Sequence, residues 1–334
     1  MKVKIRIGNE VKEYTGAWED HTLLEVFQEL GITQVHAPCG GNGTCKKCLV
    51  TVEGLGKVLS CQTQCKDDMC VTVAEEQKSA IAENGNCYLY PADAGEGLLA
   101  ACDIGTTTVV CHLLDGATGV RLCTVSAPNA QRSFGADVIS RIQASVDSGL
   151  DKLQSAIVDQ INGMLVQLKQ KAGRTEDIRR LAVAGNTVMS HLFCGLSPES
   201  IGVAPFTPLS LFGESYDAKQ IGIEGCETVY VVPSIAGYVG GDIVADLAAV
   251  QMHSSVLAED GEKETLMLDI GTNGEMVLGK SGSYVCCATA AGPAFEGAEI
   301  AMGMPAASGA ISKVWLEDGK ICCSTINDAP AVGI

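Results

Sequence analysis

Basic residues are in short supply: 23 Lys and Arg stand against 40 Asp and Glu, a formal net charge of −17. So acidic a chain repels phosphate backbones and anionic lipid headgroups. That excludes nucleic acid and anionic membrane as partners and favours, if anything, a basic protein surface. Long apolar runs are missing too: no uncharged apolar run reaches the ~18 residues that cross a bilayer. The amino terminus, Met1-Lys-Val-Lys-Ile-Arg-Ile7, alternates charged with apolar residues and has no apolar segment of the kind that drives secretion. The expected compartment is therefore the reducing cytoplasm. There the 16 cysteines serve as metal ligands or buried apolar residues rather than disulfides. So many thiols suit an anaerobic metabolism. Aromatic residues make up only 4 % while glycine reaches 38, a balance that fits many tight loops between strands. The five histidines show no metal spacing, and His191, on an apolar helical stretch, reads as core.

What is there in quantity is cysteine, and it is clustered. Cys39-Gly-Gly-Asn-Gly-Thr-Cys45-Lys-Lys-Cys48 is followed by Leu-Ser-Cys61. The spacing C-x5-C-x2-C with a later fourth cysteine is one residue longer than the C-x4-C-x2-C…C of plant-type [2Fe–2S] ferredoxins. Gly40, Gly41 and Gly43 let the backbone wrap tightly, where a Cβ would clash, and turn N–H groups toward the sulfurs. Zinc is the competing ligand: Cys45-x2-Cys48 is one knuckle and Cys61-x3-Cys65 a second. Cys65 and Cys70 compete with Cys61 for the fourth ligand position.

Periodicity divides the chain. Residues 1–76 read as a small β-rich domain. Val3, Ile5 and Ile7 alternate with charge, Val11–Tyr14 return, and Thr22–Leu30 is helical with Gly31 as its stop. The Cys loop then leads to strands at Leu49–Val52 and Val71–Val73. Residues 77–97 are rich in turn formers and read as a linker. From residue 98 to 334, strands alternate with long helices, the pattern of an α/β domain. Helices are expected over Ala136–Ser145 and Leu150–Lys171, the second with Leu153, Ile157, Ile161, Leu165 and Leu168 as one core stripe. Gly185-Asn186-Thr187 and Gly240-Gly241-Asp242 each open a further helix.

An internal repeat carries the chemistry. Asp103-Ile-Gly105-Thr106-Thr107-Thr108 and Asp269-Ile-Gly271-Thr272-Asn273 each follow an apolar strand and precede a second one. One such tetrapeptide marks an ordinary turn; two in the same context indicate a duplicated fold. The chemistry suits a phosphate chain, which needs close backbone N–H donors and a carboxylate that holds a metal. The Asp at the strand end suits water-mediated Mg²⁺, the glycine permits close approach, and threonine hydroxyls and amides grip phosphoryl oxygens. The plain alternative is a pair of structural hairpins with capping aspartates.

Two Asp-x-Gly-Thr hairpins resemble the phosphate loops of the acetate kinase, sugar kinase, heat-shock chaperone and actin ATPase superfamily. Joined to an N-terminal [2Fe–2S] domain, they make the chain look like the reductive activators of corrinoid-dependent methyltransferases. Gly135-Ala-Asp-Val-Ile-Ser-Arg-Ile142, Ala184-Gly-Asn-Thr-Val188, Gly240-Gly-Asp242 and Ala291-Gly-Pro-Ala-Phe-Glu-Gly-Ala298 fit that narrower family. The resemblance implies a ferredoxin-like β-grasp domain followed by an actin-like, ribonuclease H-like duplicated ATPase domain. It implies that Cys39, Cys45, Cys48 and Cys61 hold the cluster. Asp103, Gly105, Thr106, Thr107 and Thr108 would form the first phosphate loop, and Asp269, Gly271, Thr272 and Asn273 the second. Asp242, behind Gly240 and Gly241, is expected either to position Mg²⁺ or water or to be a plain N-cap; Glu296 is a further candidate for the nucleotide cleft.

The activity so implied is ATP-dependent one-electron reduction of a corrinoid from Co(II) to Co(I). Its partners are a corrinoid protein and a low-potential donor such as a ferredoxin or flavodoxin, and a homodimer is expected from the family. Plant-type clusters lie near about −400 mV, and Co(I) is harder to form. Each 100 mV of uphill transfer costs about 2.3 kcal/mol, which nucleotide binding or hydrolysis offsets. Within the family pattern the chain ends early, at Ala331-Val-Gly-Ile334, and is expected to be truncated before an adenosine-contacting segment. Three other functions compete: an activator of acyl-CoA dehydratases or reductases, a nucleotide-gated redox-sensing binding protein, and a carbohydrate kinase that leaves the cluster without a purpose. Cys102, Cys111, Cys123 and Cys194 read as inert core. In the vicinal pairs Cys286-Cys287 and Cys322-Cys323, strand alternation turns one of each inward.

Overall fold

The structure, a computed structural model, describes residues 1–32, 34, 35, 37, 41–44, 46–74, 95, 97–253, 264–271, 273–280, 283–292, 300–304, 308–317 and 319–334. Cys39, Cys45, Thr272, Glu296 and most of the 77–97 segment lie outside the described residues.

The described residues up to 74 build one sheet and one α-helix. β1 (Lys2–Ile7) and β2 (Glu10–Thr15) pair antiparallel across the Gly8 turn. α1 (Leu23–Glu29) follows, then β3 (Leu49–Val52), β4 (Gly56–Leu59) and β5 (Met69–Val73). The sheet order is β2-β1-β5-β3-β4, with β1 and β5 parallel at its centre. This is the β-grasp arrangement. Thr22 starts the helix through a capping box: its Oγ1 accepts from Glu25 N–H, and Glu25 Oε2 accepts from Thr22 N–H at 2.6 Å. Leu23, Val26 and Phe27 are fully buried against Val3, Ile5, Val50 and Val71. β4 was not expected: Gly56-Lys-Val-Leu59 is too short to show a period and forms because it pairs with β3.

A second sheet begins with the meander β6 (Leu98–Ile104), β7 (Thr108–Asp115) and β8 (Arg121–Pro128). α2 (Val138–Ala144) leads through the turn Ser145–Gly149 into α3 (Leu150–Ala172), which covers β7 and β8. Leu153, Ile157, Ile161, Leu165 and Leu168 are all buried, as the stripe predicts. At about 2 kcal/mol per buried side chain, these five contribute on the order of 10 kcal/mol before entropy is charged. β9 (Ile178–Gly185) lies parallel to β6, and α4 (Thr187–Cys194) follows it. β10 (Glu214–Asp217), the short α5 (Ala218–Ile221) and β11 (Cys226–Val231) complete the order β10-β11-β9-β6-β7-β8. Three antiparallel strands continued by parallel ones are the ribonuclease H-like half expected from the repeat.

α6 (Gly241–His253) leads to the second copy: β12 (Thr265–Ile270), β13 (Asn273–Lys280) and β14 (Ser283–Ala290) form an antiparallel meander matching β6–β8. Val239, Ile243 and Val277 pack α6 to that meander. A hairpin, β15 (Ile311–Glu317) with β16 (Lys320–Thr325), follows. Cys287 and Cys323 are exposed and Cys286 and Cys322 partly covered, as alternation requires. Cys102 and Cys111 are buried cross-strand partners, the Cys111 thiol donating to Cys102 Sγ at 2.9 Å. Cys123 and Cys194 depart from expectation: they pack at the margin of the core and are only partly buried. His191 is buried, but it also ties down a loop. Its Nδ1 faces Thr187 O at 2.7 Å, and its Nε2 accepts from Leu209 N–H and Ser210 N–H. No helix among the described residues is long and apolar enough to cross a membrane.

Candidate functional site

The strand-end aspartates converge because the two meanders are copies of one another. Asp103 sits one residue before the end of β6, opposite Val110, and Asp269 one residue before the end of β12, opposite Glu275. Each strand ends directly into its glycine: Gly105 in the first copy, Gly271 in the second. Adding a Cβ at Gly105 would bring it to 2.6 Å from Thr108 O, so this turn closes only without a side chain.

Between the copies lies an open cleft of 410 Å³. Of the residues expected from the sequence, Asp103, Gly105, Thr106, Thr107, Thr108, Asp242, Asp269, Gly271 and Asn273 line it. Gly240 and Gly241 do not. They sit behind the cleft, where Gly240 approaches the backbone of Asn186 and Thr187 and Gly241 approaches Val232 O. Asp242 is not an N-cap either: it occupies the first turn of α6, and its Oδ1 accepts from Ile243 N–H at 2.9 Å.

Three polar residues in the cleft escaped the sequence reading. Asp246 lies one turn after Asp242 on α6 and was legible from the i, i+4 spacing. Glu275 stands opposite Asp269 on β13. Asn186 caps α4 through Met189 N–H and reaches Thr106 Oγ1 with its Nδ2 at 3.0 Å.

The carboxylates perturb one another. Loss of water, with the charges of Asp242, Asp246 and Asp269, raises the Asp103 carboxyl to about 7. Desolvation and then Asp269 and Asp242 lift Asp246 to about 6; desolvation with Asp242 and Asp269 lifts Glu275 to about 7. Asp242 is raised by desolvation first, opposed by its bond to Ile243 N–H. Such a wall favours a cation and hard oxygen ligands. No three acidic, histidine or cysteine side chains among the described residues converge on a single metal point.

The thiols meet in the first sheet. Cys48 precedes β3, Cys61 sits in the turn Ser60–Gln62, and Ser60 N–H donating to Cys48 O at 2.9 Å holds the two segments together. Their Sγ atoms are 3.3 Å apart and both residues are buried. Desolvation, then the neighbouring Cys48 thiol, pushes the Cys61 thiol up to about 11, opposed by Gln62 and the Gly43 N–H. Gly41 and Gly43 adopt φ of +89° and +75°, and Gln62 Nε2 reaches Gly41 O and Cys61 Sγ. Two buried thiols side by side, under donors aimed at sulfur, fit one iron of a [2Fe–2S] cluster. Cys65 is buried elsewhere in this core and Cys70 lies on β5.

Comparison with known proteins agrees with this order of parts. A 2Fe-2S iron-sulfur cluster binding domain profile matches residues 5–76. The RACo middle region matches 98–255, and the C-terminal domain of RACo, the ASKHA domain, matches 263–334. The chain is 32 % identical to the corrinoid activation enzyme RamQ of Eubacterium limosum, covering 94 % of this chain and 66 % of that enzyme. It is 29 % identical to a [Co(II) methylated amine-specific corrinoid protein] reductase of Methanosarcina barkeri, over 64 % of this chain and 40 % of the relative. A solved reductive activator for a corrinoid, iron-sulfur protein superposes with a TM-score of 0.61 at 30 % identity, covering 99 % of this chain and 70 % of that one. The chain thus spans about two thirds of the length of RamQ and less than half that of the reductase. Its iron–sulfur domain, its actin-like ASKHA domain and its identity across both make this chain a member of the family of reductive activators of corrinoid proteins.

Proposed function

We propose that this chain couples ATP to the one-electron reduction of a corrinoid protein, taking its cobalt from Co(II) to Co(I). The observation that carries the reading is the pair of Asp-Ile-Gly-Thr strand ends facing one cleft in a chain that also pairs Cys48 with Cys61 at 3.3 Å. Relatives whose names state corrinoid activation and corrinoid protein reduction support it.

Cys39, Cys45, Cys48 and Cys61 hold the [2Fe–2S] cluster, which when bound supplies one low-potential electron at a time. Gln62 and the Gly43 N–H stabilise the thiolate of Cys61. In the cleft, Thr106, Thr107, Thr108 and Asn273 would grip phosphoryl oxygens from both sides, with Thr272, outside the described residues, expected to join them. Asp103 and Asp269 would hold Mg²⁺, and Asp242 would orient water beside them, the metal supplying charge neutralisation for the phosphoryl chain. Gly240 and Gly241 act by bringing α6 close to Asn186 rather than by touching nucleotide. The division at 1–76, 77–97 and 98–334 separates the electron-carrying part from the nucleotide-driven part. The electron donor would be a low-potential protein such as a ferredoxin or flavodoxin, and a reducing cytoplasm would keep the cysteine thiols available as ligands.

The test is anaerobic. Iron-reconstituted protein is mixed with a Co(II) corrinoid protein and a low-potential donor, and the Co(I) absorbance band is followed with and without ATP. Co(I) that forms only with ATP supports the reading. Co(I) formed equally without ATP removes the nucleotide from it, and no Co(I) despite an intact cluster and bound ATP rejects that acceptor.

A further inference from the structure

Loop 105–107 is held from behind. The Gly105 carbonyl accepts from Asn129 Nδ2 at 2.8 Å, and the Thr107 carbonyl accepts from Asn129 N–H at 2.9 Å. Between them, the Thr106 carbonyl accepts from Arg141 Nη2 at 2.5 Å. Neither Asn129 nor Arg141 lines the cleft, while residues 105–108 do. In a planar trans peptide the C=O and the following N–H point in opposite directions. Pulling the carbonyls of Gly105 and Thr106 back onto Asn129 and Arg141 therefore turns the N–H groups of Thr106 and Thr107 into the cleft. On the cleft side, Thr106 Oγ1 accepts from Asn186 Nδ2, which leaves its hydroxyl proton to donate outward.

Arg141 is an unusual choice for such a task. It is completely buried, and its other donors reach only neutral atoms: Nε to Gly135 O at 3.0 Å and Nη1 to Met189 Sδ at 3.0 Å. It makes no ion pair with a carboxylate among the described residues. An ionised group without a directly paired counter-charge is expensive to bury. A neutral donor such as asparagine or glutamine would satisfy the same carbonyl without that cost. The retained charge sits one peptide unit behind the amides that face the cleft, where an anion outside would meet it. Desolvation, aggravated by the nearby Arg132 and partly opposed by the charge of Asp137, lowers its guanidinium to about 9, which still leaves it charged at neutral pH. Asn129 is equally committed: it is buried, and its Oδ1 accepts from Gln131 N–H at 2.8 Å, so its orientation is set before any ligand arrives.

We infer that Arg141 and Asn129 are positioning residues that pre-orient the first Asp-Ile-Gly-Thr loop as an amide nest for the phosphoryl chain of a nucleotide. Arg141 adds the buried positive charge that draws the anion in. The inference rests on reading this cleft as the phosphate site. It adds the two residues that make the loop competent, neither of which touches the ligand.

The test is calorimetric titration of the full chain with Mg²⁺–tripolyphosphate, which has the phosphoryl chain but no adenosine. Asn129→Asp keeps the acceptor for Gln131 N–H and sets an oxygen against Gly105 O. Arg141→Met keeps the packing and removes every donor, and Arg141→Lys keeps the charge. Asn129→Asp and Arg141→Met should each raise the Kd about 10- to 100-fold, the weight of one charge-assisted hydrogen bond. Arg141→Lys should recover most of the loss, a rescue that a purely structural role would not give. If Arg141→Met fails to melt cooperatively, Asn129→Asp carries the test alone. Both variants at the wild-type Kd, or a wild-type chain that binds no tripolyphosphate, overturn the inference. Tripolyphosphate binding that responds as stated in a protein that makes no Co(I) would retain this inference while the corrinoid reading falls.

Discussion

Gly240→Ala is the sharpest single perturbation of the cleft that replaces none of its lining side chains. An ideal Cβ at position 240 would lie 2.4 Å from Asn186 Cα, 2.7 Å from Thr187 N and 2.8 Å from Asn186 C. Carbon atoms rest at about 3.5–4.0 Å, so the two segments must part by roughly 1 Å. All three atoms are backbone, so no rotamer change relieves the clash. Overpacking of this kind costs about 1–3 kcal/mol, and a backbone collision belongs at the upper end. For a unit of this size, about 3 kcal/mol lowers Tm by roughly 6–12 °C. The displacement also moves Asn186 off Thr106 Oγ1, now 3.0 Å away, so affinity for Mg²⁺–nucleotide falls with stability. Gly163→Ala is the matched control. Gly163 lies exposed in the interior of α3 with no atom within 4 Å of an added Cβ. Alanine there should stabilise by about 0.5–1 kcal/mol and leave affinity unchanged. Calorimetric melts and a nucleotide titration on both variants decide the matter: Gly240→Ala with wild-type Tm and affinity would refute the close approach on which the cleft geometry depends.

Cys48→Ser and Cys61→Ser should each abolish or bleach the visible charge-transfer absorbance of the reconstituted protein, whereas Cys70→Ser should leave it; loss of absorbance in Cys70→Ser alone would reassign the ligand. Asp103→Asn should lower nucleotide turnover by about 100-fold, the scale of one lost electrostatic contact to a transferring phosphoryl group, with the iron content intact; turnover within threefold of wild type removes Asp103 from the chemistry. His191 gives a pH signature. Burial depresses its folded-state pKa below the usual value of 6.5, so the unfolded chain binds the proton first. The stability it confers is present above pH 6.5 and declines as pH falls from there toward the lower folded-state pKa. Protonation at Nε2 would set an N–H against those of Leu209 and Ser210. The stability gap between wild type and His191→Gln should shrink over that interval, and a gap independent of pH contradicts the assigned hydrogen bonds.

Much of this protein is written in short-range patterns. Leu153 to Leu168 recur at helical spacing and α3 forms over nearly the expected range, because a 3.6-residue period is a property of neighbours along the chain. The alternation of Val3, Ile5 and Ile7, the turn glycines, the Cys45-x2-Cys48 spacing and the repeated Asp-Ile-Gly-Thr are legible for the same reason. So is the family, since those motifs recur in one order. Tertiary structure alone decides which residues from distant segments share a site. Gly240 and Gly241 look like a ligand loop in sequence, yet they serve close packing against Asn186. Asn129, on the strand-end turn after β8, has no motif of its own, and Arg141 sits in a recognisable segment without a legible role. Both reach the back of the phosphate loop only because β8, α2 and β6 are folded against one another. The carboxylates of Asp103, Asp242, Asp246, Asp269 and Glu275 come from four elements, β6, α6, β12 and β13, and burial in the cleft, with their approach across it, raises the pKa values of Asp103, Asp246 and Glu275. Periodicity and spacing act through the covalent chain, whereas burial and electrostatics act through space, and the second set exists only once the two copies of the meander face each other.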